Sequence, residues 1–123
     1  MRVLIVDAAN VVGSVPDGWW RDRRGAAERL RDRLAARAAA SDASDEEEEE
    51  IILVVEGAAR GVESVPGVRV DSAPGSGDDR IVELAAACAG RDCVVVTADR
   101  ELRERVRAHG ARCVGPRAVR PEV

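Results

Sequence analysis

Acidic side chains follow three apolar stretches of this chain. Residues 3–6 are followed at once by Asp7, residues 51–55 by Glu56, and residues 93–96, after a short polar turn, by Asp99. Short unbroken apolar stretches are typical of strands that are buried on both faces of a parallel sheet. Because open α/β sheets bind ligands at the carboxyl ends of their strands, we predict that these acids meet at one edge of one sheet.

Further acids stand at predicted helix starts, namely Asp78, Asp79 and Glu101. Several carboxylates at one place repel one another unless cations bind among them or some of them are protonated. Mg²⁺ takes oxygen ligands and keeps several waters, so carboxylates with room for phosphate oxygens suit it. Such ions lower the pKa of water and stabilise the attacking and leaving oxygens of a phosphoryl displacement. Asn10 would orient a water or a phosphate oxygen without adding charge.

Each acid also has a structural explanation. The acids at the two helix starts are of the types that stabilise helix N-termini, with Ser76 as a cap of one of them. Glu56 is explained equally well as an exposed loop residue. Asp7 is the hardest to explain in this way, because an acid that ends a central apolar strand loses solvation unless something binds it. The metal hypothesis therefore rests on the acids together.

The elements that position these residues alternate between strands and helices. We predict, in order, strand 3–6, loop 11–18, helix 19–39, strand 51–55, a turn or short helix at 56–61, strand 68–70, helix 78–89, strand 93–96, helix 99–109, strand 112–114 and a tail without predicted structure. This alternation predicts an α/β fold with a parallel sheet and helices on both faces. Right-handed crossovers then bring the carboxyl ends of the strands to one edge.

Composition favours a single domain over residues 1–123, with a core of Val, Ala, Leu and Ile, since Phe and Tyr are absent. Trp20 is expected to pack into that core from the first long helix. The acidic stretch at about 41–50 is of low complexity, and its like charges repel, so we expect a mobile loop there. The absence of Lys and the abundance of Ala, Arg and Gly are typical of a high-GC bacterial genome.

The net charge of −4 comes largely from that acidic stretch, and no extended basic patch is evident. The three cysteines fit neither a disulfide framework nor a zinc site, which favours free thiols in a reducing cytoplasm. No stretch is long enough to span a membrane, and the chain enters a strand directly, so we expect no signal peptide.

Three motifs resemble the NYN family of PIN-like nucleases, in particular its YacP-like bacterial members. They are Val-Asp-Ala-Ala-Asn at 6–10, Gly-Asp-Asp-Arg-Ile at 77–81 and Val-Val-Thr-Ala-Asp-Arg-Glu at 95–101. The resemblance implies a three-layer α/β/α sandwich with a parallel, PIN-like sheet of about five strands in the order 3-2-1-4-5. It also implies a metal-dependent, RNA-cleaving activity, and it places Glu56 where YacP-like members carry an acid after the second strand.

We therefore expect a metal-dependent nuclease, most simply a ribonuclease, that uses Mg²⁺ or Mn²⁺. Asp7, Asp78, Asp79 and Asp99 are the expected metal ligands, and Asn10 acts beside them in catalysis. Two further acids are auxiliary candidates, namely Glu56 and Glu101. Four residues near these motifs are candidates for binding the substrate, namely Arg21, Arg24, Ser76 and Thr97.

Two other functions remain open. The metal pocket would also serve a hydrolase of nucleotides or small phosphates, such as an NTP pyrophosphohydrolase. The same acids would be retained as helix caps in a non-catalytic PIN-like module that binds RNA or a protein. The expected partner is thus RNA or a nucleotide, a homodimer is possible through an edge strand or a helix face, and no membrane is involved.

Overall fold

The computed structural model describes residues 2–42 and 49–120 of the 123-residue chain. These residues form one five-stranded parallel sheet in the order β3-β2-β1-β4-β5. This is the predicted order. The strands are β1 Arg2–Asp7, β2 Glu49–Val55, β3 Val68–Ser72, β4 Cys93–Val96 and β5 Arg112–Val114.

In the part of the chain that the structure describes, four α-helices connect or flank the strands, namely α1 Ala8–Gly13, α2 Arg23–Asp42, α3 Gly77–Ala87 and α4 Arg100–Arg107. The same part contains three short 3-10 helices, at Trp19–Arg21, Gly57–Ala59 and Pro116–Ala118. Within residues 2–42 and 49–120, no helix combines the length and the apolar character that crossing a membrane requires.

The sheet is buried on both faces, which makes the fold a three-layer α/β/α sandwich. On one face, Leu4 and Leu53 pack with Leu30 and Leu34 of α2. On the other face, Ile5 packs in a cluster with Ile81 of α3 and Leu102 of α4. Side chains alternate between the faces along each strand, so the central β1 contributes to both clusters.

The strand register explains why distant acids meet. Asp7 is level with Val54 of β2, and Val6 of β1 is level with Val96 of β4. Thr97 follows Val96 directly and Glu56 comes two residues after Val54, so both lie at the same edge as Asp7. This is the carboxyl edge on which the sequence placed the acids.

The first helical region differs from the prediction. The predicted loop 11–18 begins inside α1, which continues to Gly13, and the predicted helix 19–39 is interrupted. The chain breaks at Asp22, whose backbone is not helical and whose side chain accepts a hydrogen bond from the amide of Gly25 at 2.9 Å. An Asp that caps a helix in this way starts a new helix rather than continuing an old one.

Trp20 lies on the surface, and the prediction that it packs into the core was wrong. It is 56% exposed, because it sits in the short 3-10 helix before α2 and not on the apolar face of α2. Its ring meets that of Trp19 edge to face, with 6.1 Å between the centroids.

Both ends of the acidic stretch at 41–50 belong to regular elements. Residues 41 and 42 end α2, and Glu49 and Glu50 begin β2, level with Arg2 and Val3 of β1. Glu49 is held there by Arg37, whose Nε lies 3.1 Å from its carboxylate. The predicted mobility of residues 43–48 lies outside the described residues.

Candidate active site

Asp7 is the most buried acid at the carboxyl edge of the sheet. Its side chain is 6% exposed, and burial, partly opposed by hydrogen bonds and reinforced by Asp78 and Glu56, raises its pKa to about 6. A carboxylate in such a position is costly to ionise unless positive charge comes close. Asp7 also caps α1, because its Oδ1 accepts the amide of Asn10 at 3.3 Å.

Thr97 and Asn10 connect Asp7 to the segment that follows β4. The hydroxyl of Thr97 donates to Oδ2 of Asp7 at 3.0 Å and accepts the amide of Asp99 at 3.2 Å. Oδ1 of Asn10 accepts the amide of Ala98 at 2.8 Å. The β1 and β4 motifs are therefore joined by side-chain hydrogen bonds, and Asn10 holds the loop that carries Asp99.

Asp78 connects the remaining acids. Burial first, and then the charges of Asp99, Glu56 and Asp79, raise the pKa of Asp78. Unlike Asp7 and Asp99, the Asp78 carboxylate accepts no hydrogen bond from any residue that the structure describes. Its carboxylate is thus available for a ligand, and three acids and Arg105 lie near it.

Glu56 is placed by a close contact with the start of α3. Its Oε2 accepts the amide of Gly77 at 2.7 Å. A Cβ on Gly77 would lie 3.0 Å from the carboxylate carbon of Glu56, so a side chain at position 77 would push the acid away. The predicted auxiliary acid is therefore an integral part of the cluster that Asp7 and Asp78 form.

Asp99 caps α4 with its Oδ1, which accepts the amide of Leu102 at 2.9 Å. Asp79 is exposed and pairs with Arg105 of α4, with 2.9 Å between Nη2 and Oδ1. Glu101 is exposed in the first turn of α4, and no contact among the described residues joins it to the cluster. The structure thus brings together four acids, with Asp79 at their rim, and leaves Glu101 apart.

Within residues 2–42 and 49–120, no three His, Cys, Asp or Glu side chains are already arranged as a set that could hold a metal ion. The donor chemistry nevertheless fits a hard divalent cation, because the cluster offers carboxylate oxygens alone. Burial is the main cause of the raised pKa of Asp7 and of Asp78, and neighbouring negative charges raise both pKa values further.

The start of α3 is fixed to β3 by a bidentate ion pair. Nε and Nη2 of Arg80 each lie 2.9 Å from an oxygen of Asp71, which is 9% exposed, and Arg69 approaches the same carboxylate at 3.1 Å. These cations lower the pKa of Asp71. The pair holds the turn that presents Asp78.

A cleft of about 390 Å³ adjoins the acids. Glu56 forms part of its wall, as do Trp19 and Arg23, whose guanidinium carbon lies 5.4 Å from the centroid of the Trp19 ring. The other lining residues are all small apolar residues, namely Ala8, Ala9, Val12, Ala27, Gly57, Ala59 and Gly75.

The two arginines predicted to bind the substrate lie outside the acid cluster, one bound to a loop and the other exposed. Arg24 donates to the carbonyls of Arg60 and Gly61 at 3.1 Å each, so it ties α2 to the loop after β2. Arg21 is exposed and lies over Trp20, with 5.8 Å from its guanidinium carbon to the ring centroid.

The other two candidates lie within the acidic motifs. Ser76 caps α3 by accepting the amide of Asp79 at 3.1 Å. Thr97 is fully buried against Asp7.

A row of arginines lies beyond the cleft, although the sequence showed no extended basic patch. Arg29, Arg33 and Arg120 line one shallow depression, which shares Val12 with the cleft. Arg33 and Arg120 also line the next depression, together with Arg37. The α2 arginines of this row are four residues apart, a helical spacing that could have been recognised in the sequence. The proximity of Arg120 to them could be seen only in the tertiary fold.

Comparison with solved structures identifies a neighbour of the same fold. A crystal structure of Rae1 (YacP) from Bacillus subtilis matches 94% of this chain and 69% of that chain, with a TM-score of 0.69 and 21% sequence identity. The chain has the fold of YacP. At this identity the likeness to YacP establishes the fold alone, and it confirms the three-layer PIN-like sandwich that the motifs implied. No protein-family model and no curated protein sequence matches the chain.

Proposed function

We propose that this protein is a divalent-metal-dependent nuclease that hydrolyses phosphodiester bonds of RNA. The observation that carries the proposal is the burial of Asp7 among the acids of three other segments, with its pKa raised to about 6. An uncompensated buried carboxylate lowers stability, and a bound cation would remove that penalty. The PIN-like, nuclease-like fold supports the same function.

Asp7, Asp78 and Asp99 would hold Mg²⁺ or Mn²⁺, with Glu56 and Asp79 acting directly or through water. When bound, the ion would supply a nucleophilic water at neutral pH and stabilise the charge on the leaving oxygen. The chain's own residues provide the arrangement. Asp7 offers the most buried carboxylate, and its two hydrogen bonds hold it in one orientation.

Thr97 and Asn10 would act as positioning residues. Thr97 favours the charged form of Asp7, since its hydroxyl donates to the carboxylate and lowers its pKa against the effect of burial. Asn10 accepts the amide of Ala98 with its oxygen, which leaves the amide nitrogen of its side chain available to a phosphate oxygen. The metal ligands are therefore held by neutral groups that add no charge to the cluster.

The row of arginines favours a polymer as substrate. Exposed arginines at Arg29 and Arg33 follow one another along α2 and lead away from the acids by way of the cleft. A mononucleotide would have no use for cations at successive positions, whereas a polynucleotide places a phosphate at each. This supports RNA over a small phosphate.

The cleft is the observation that favours a second candidate function, hydrolysis of a free nucleotide. Its volume of about 390 Å³ lies in the range of small-molecule sites, and it adjoins Glu56. A nucleotide hydrolase would need this cleft and the acids and would not depend on Arg33.

The test is hydrolysis by purified protein in Mn²⁺, with an unstructured RNA and a nucleoside triphosphate as separate substrates. Asp78→Asn is the variant of choice, because Asp78 caps no helix and its loss leaves the described hydrogen bonds intact. Glu104→Gln, an exposed acid of the neighbouring helix α4, is the matched control. RNA cleavage that Asp78→Asn abolishes and Glu104→Gln retains is the expected result, and cleavage of the triphosphate alone would favour the second candidate. If both substrates remain intact in Mn²⁺, the proposal is wrong.

A further inference from the structure

The cleft beside the acids has a composition that the proposed hydrolysis does not explain. Its floor consists of small apolar side chains from α1, α2 and the 3-10 helix at Gly57–Ala59. A phosphate or a hydrated ion gains nothing from such a surface, since both lose water on an apolar contact. A flat, largely apolar group is the kind of ligand that this floor accommodates.

Trp19 and Arg23 give the cleft a wall with a planar face. Trp19 is half-buried, and the guanidinium of Arg23 lies over its ring at 5.4 Å. Indole rings and guanidinium planes are both protein groups on which unstacked nucleobases stack. Arg23 also brings a positive charge to the wall of the cleft.

The position of the cleft relative to the acids determines where the phosphate of a bound nucleoside would lie. Ala8 lines the cleft and follows Asp7 directly, and Glu56 lines it while its carboxylate contacts Gly77 beside Asp78. A nucleoside in the cleft would thus have its own phosphate next to the acid cluster. Val12, at the other end, belongs also to the depression that the arginines line.

We infer that this cleft is a nucleoside-binding subsite, which takes one unpaired base of the substrate against Trp19. The inference rests on the proposed function for the identity of the substrate as a nucleic acid or nucleotide. Because a paired base cannot leave its helix without losing its stacking and pairing, the subsite selects single-stranded over duplex RNA. Cleavage would then occur at a phosphate of the nucleotide whose base occupies the cleft.

The experiment measures binding rather than cleavage, so that it does not depend on the metal. A fluorescein-labelled, unstructured RNA is titrated with Asp7→Asn protein in EDTA, and fluorescence anisotropy gives Kd. On this background Trp19→Ala is expected to weaken binding about tenfold, which lies within the range for loss of one base–aromatic stack. Trp20→Ala, a matched change at an exposed indole outside the cleft, is expected to leave Kd unchanged.

Salt and duplex controls separate stacking from charge. Trp19→Ala should leave the dependence of Kd on salt unchanged, whereas removal of a phosphate contact reduces that slope by about one. The same RNA annealed to its complement should bind more weakly and should not respond to Trp19→Ala. Ala9→Leu is the second variant, because Ala9 is exposed on α1 and a larger side chain there fills the cleft without removing the indole.

A nucleoside monophosphate provides the second arm. In the Trp20→Phe protein, the fluorescence of Trp19 can be followed as the monophosphate is added. Quenching that Ala9→Leu abolishes would show that the cleft accepts a free nucleotide as well as a base within RNA. The inference is overturned if Trp19→Ala and Ala9→Leu both leave Kd for unpaired RNA unchanged. Because binding is scored without metal, loss of the inferred subsite and absence of hydrolysis are separate results, and either can occur alone.

Discussion

The hydroxyl of Thr97 donates a 3.0 Å hydrogen bond to Oδ2 of Asp7 across 90 positions of the chain. The same oxygen of Thr97 accepts the amide of Asp99 at 3.2 Å. One buried hydroxyl therefore connects the acid that ends the central strand with the acid that begins α4. Because β1 and β4 are adjacent in the sheet, this contact requires the crossover and register that the fold has.

Thr97→Val removes that hydroxyl while it keeps the volume of the side chain. The hydrogen bond from Thr97 lowers the pKa of Asp7, so its loss should raise that pKa further above about 6. The acid limb of the pH profile of kcat/KM should then move to higher pH, with Thr97→Ser, which retains the hydroxyl, close to the unmodified protein. An acid limb at the same pH in Thr97→Val would mean that this hydrogen bond does not tune the reactive acid.

Asp7→Asn should stabilise the protein in metal-free buffer at pH 8. Because the pKa of Asp7 is about 6 in the folded protein and 3.8 without the fold, the native state binds more protons between these values. Stability therefore falls as the pH rises from about 4 to about 6, and the penalty remains fully present above pH 6. A difference of about two pKa units corresponds to about 3 kcal/mol.

Urea denaturation at pH 5 and pH 8 in EDTA measures that effect. We expect Asp7→Asn to gain about 2 kcal/mol at pH 8, since the amide replaces only part of the carboxylate's hydrogen bonds, and to gain less at pH 5. Asp17→Asn, at an exposed loop acid, serves as the control. Equal destabilisation by Asp7→Asn at both pH values would contradict the account of its burial.

Arg80→Ala should destabilise the protein by about 2 kcal/mol. The change leaves the buried carboxylate of Asp71 with only Arg69 as a cation, and breaking a buried ion pair costs more than breaking an exposed one. Arg112→Ala, which breaks an exposed pair with Asp92, should change the urea midpoint little by comparison. Equal midpoints for the two variants would show that Arg80 does not fix the start of α3.

Gly77→Ala should impair hydrolysis of RNA more than it impairs folding. The new Cβ would lie 3.0 Å from the Glu56 carboxylate carbon and would displace that acid, while the backbone of Gly77, the first residue of α3, has no positive φ that would strain Ala. Gly115→Ala is the matched control, because a Cβ there would meet only Arg103 at an ordinary 3.8 Å. If Gly77→Ala keeps full activity, the position of Glu56 does not matter to the site.

The strand pattern was sufficient to predict the layers of the fold and the edge at which the acids meet. Residues 3–6 are buried on both faces because β1 is central, and an apolar stretch without polar interruptions is the direct consequence of that position. The predicted strand order followed from a resemblance of three short motifs, and the YacP-like fold confirms it.

The sequence could not show which side chains would cap a helix or make contacts between distant elements. Asp22 interrupts the predicted first helix because its side chain accepts a hydrogen bond from the amide of Gly25, three residues on. Whether such an Asp caps a new helix or lies within a continuous one depends on the local backbone conformation. Trp20 fits the apolar periodicity of a helix that does not extend to it. The Arg80–Asp71 pair and the contact of Arg105 with Asp79 join distant segments, so only the tertiary fold reveals them.

The central claim is that Asp7, Asp78 and Asp99 form one site for a divalent cation. The most direct measurement is the melting temperature of the protein during a titration with Mn²⁺, because a ligand that binds only the folded state raises stability with the logarithm of its concentration relative to Kd. We predict a progressive rise for the unmodified protein and for Glu104→Gln, and none for Asp7→Asn or Asp78→Asn. A rise of the same size in all four proteins, or in none of them, would contradict the claim.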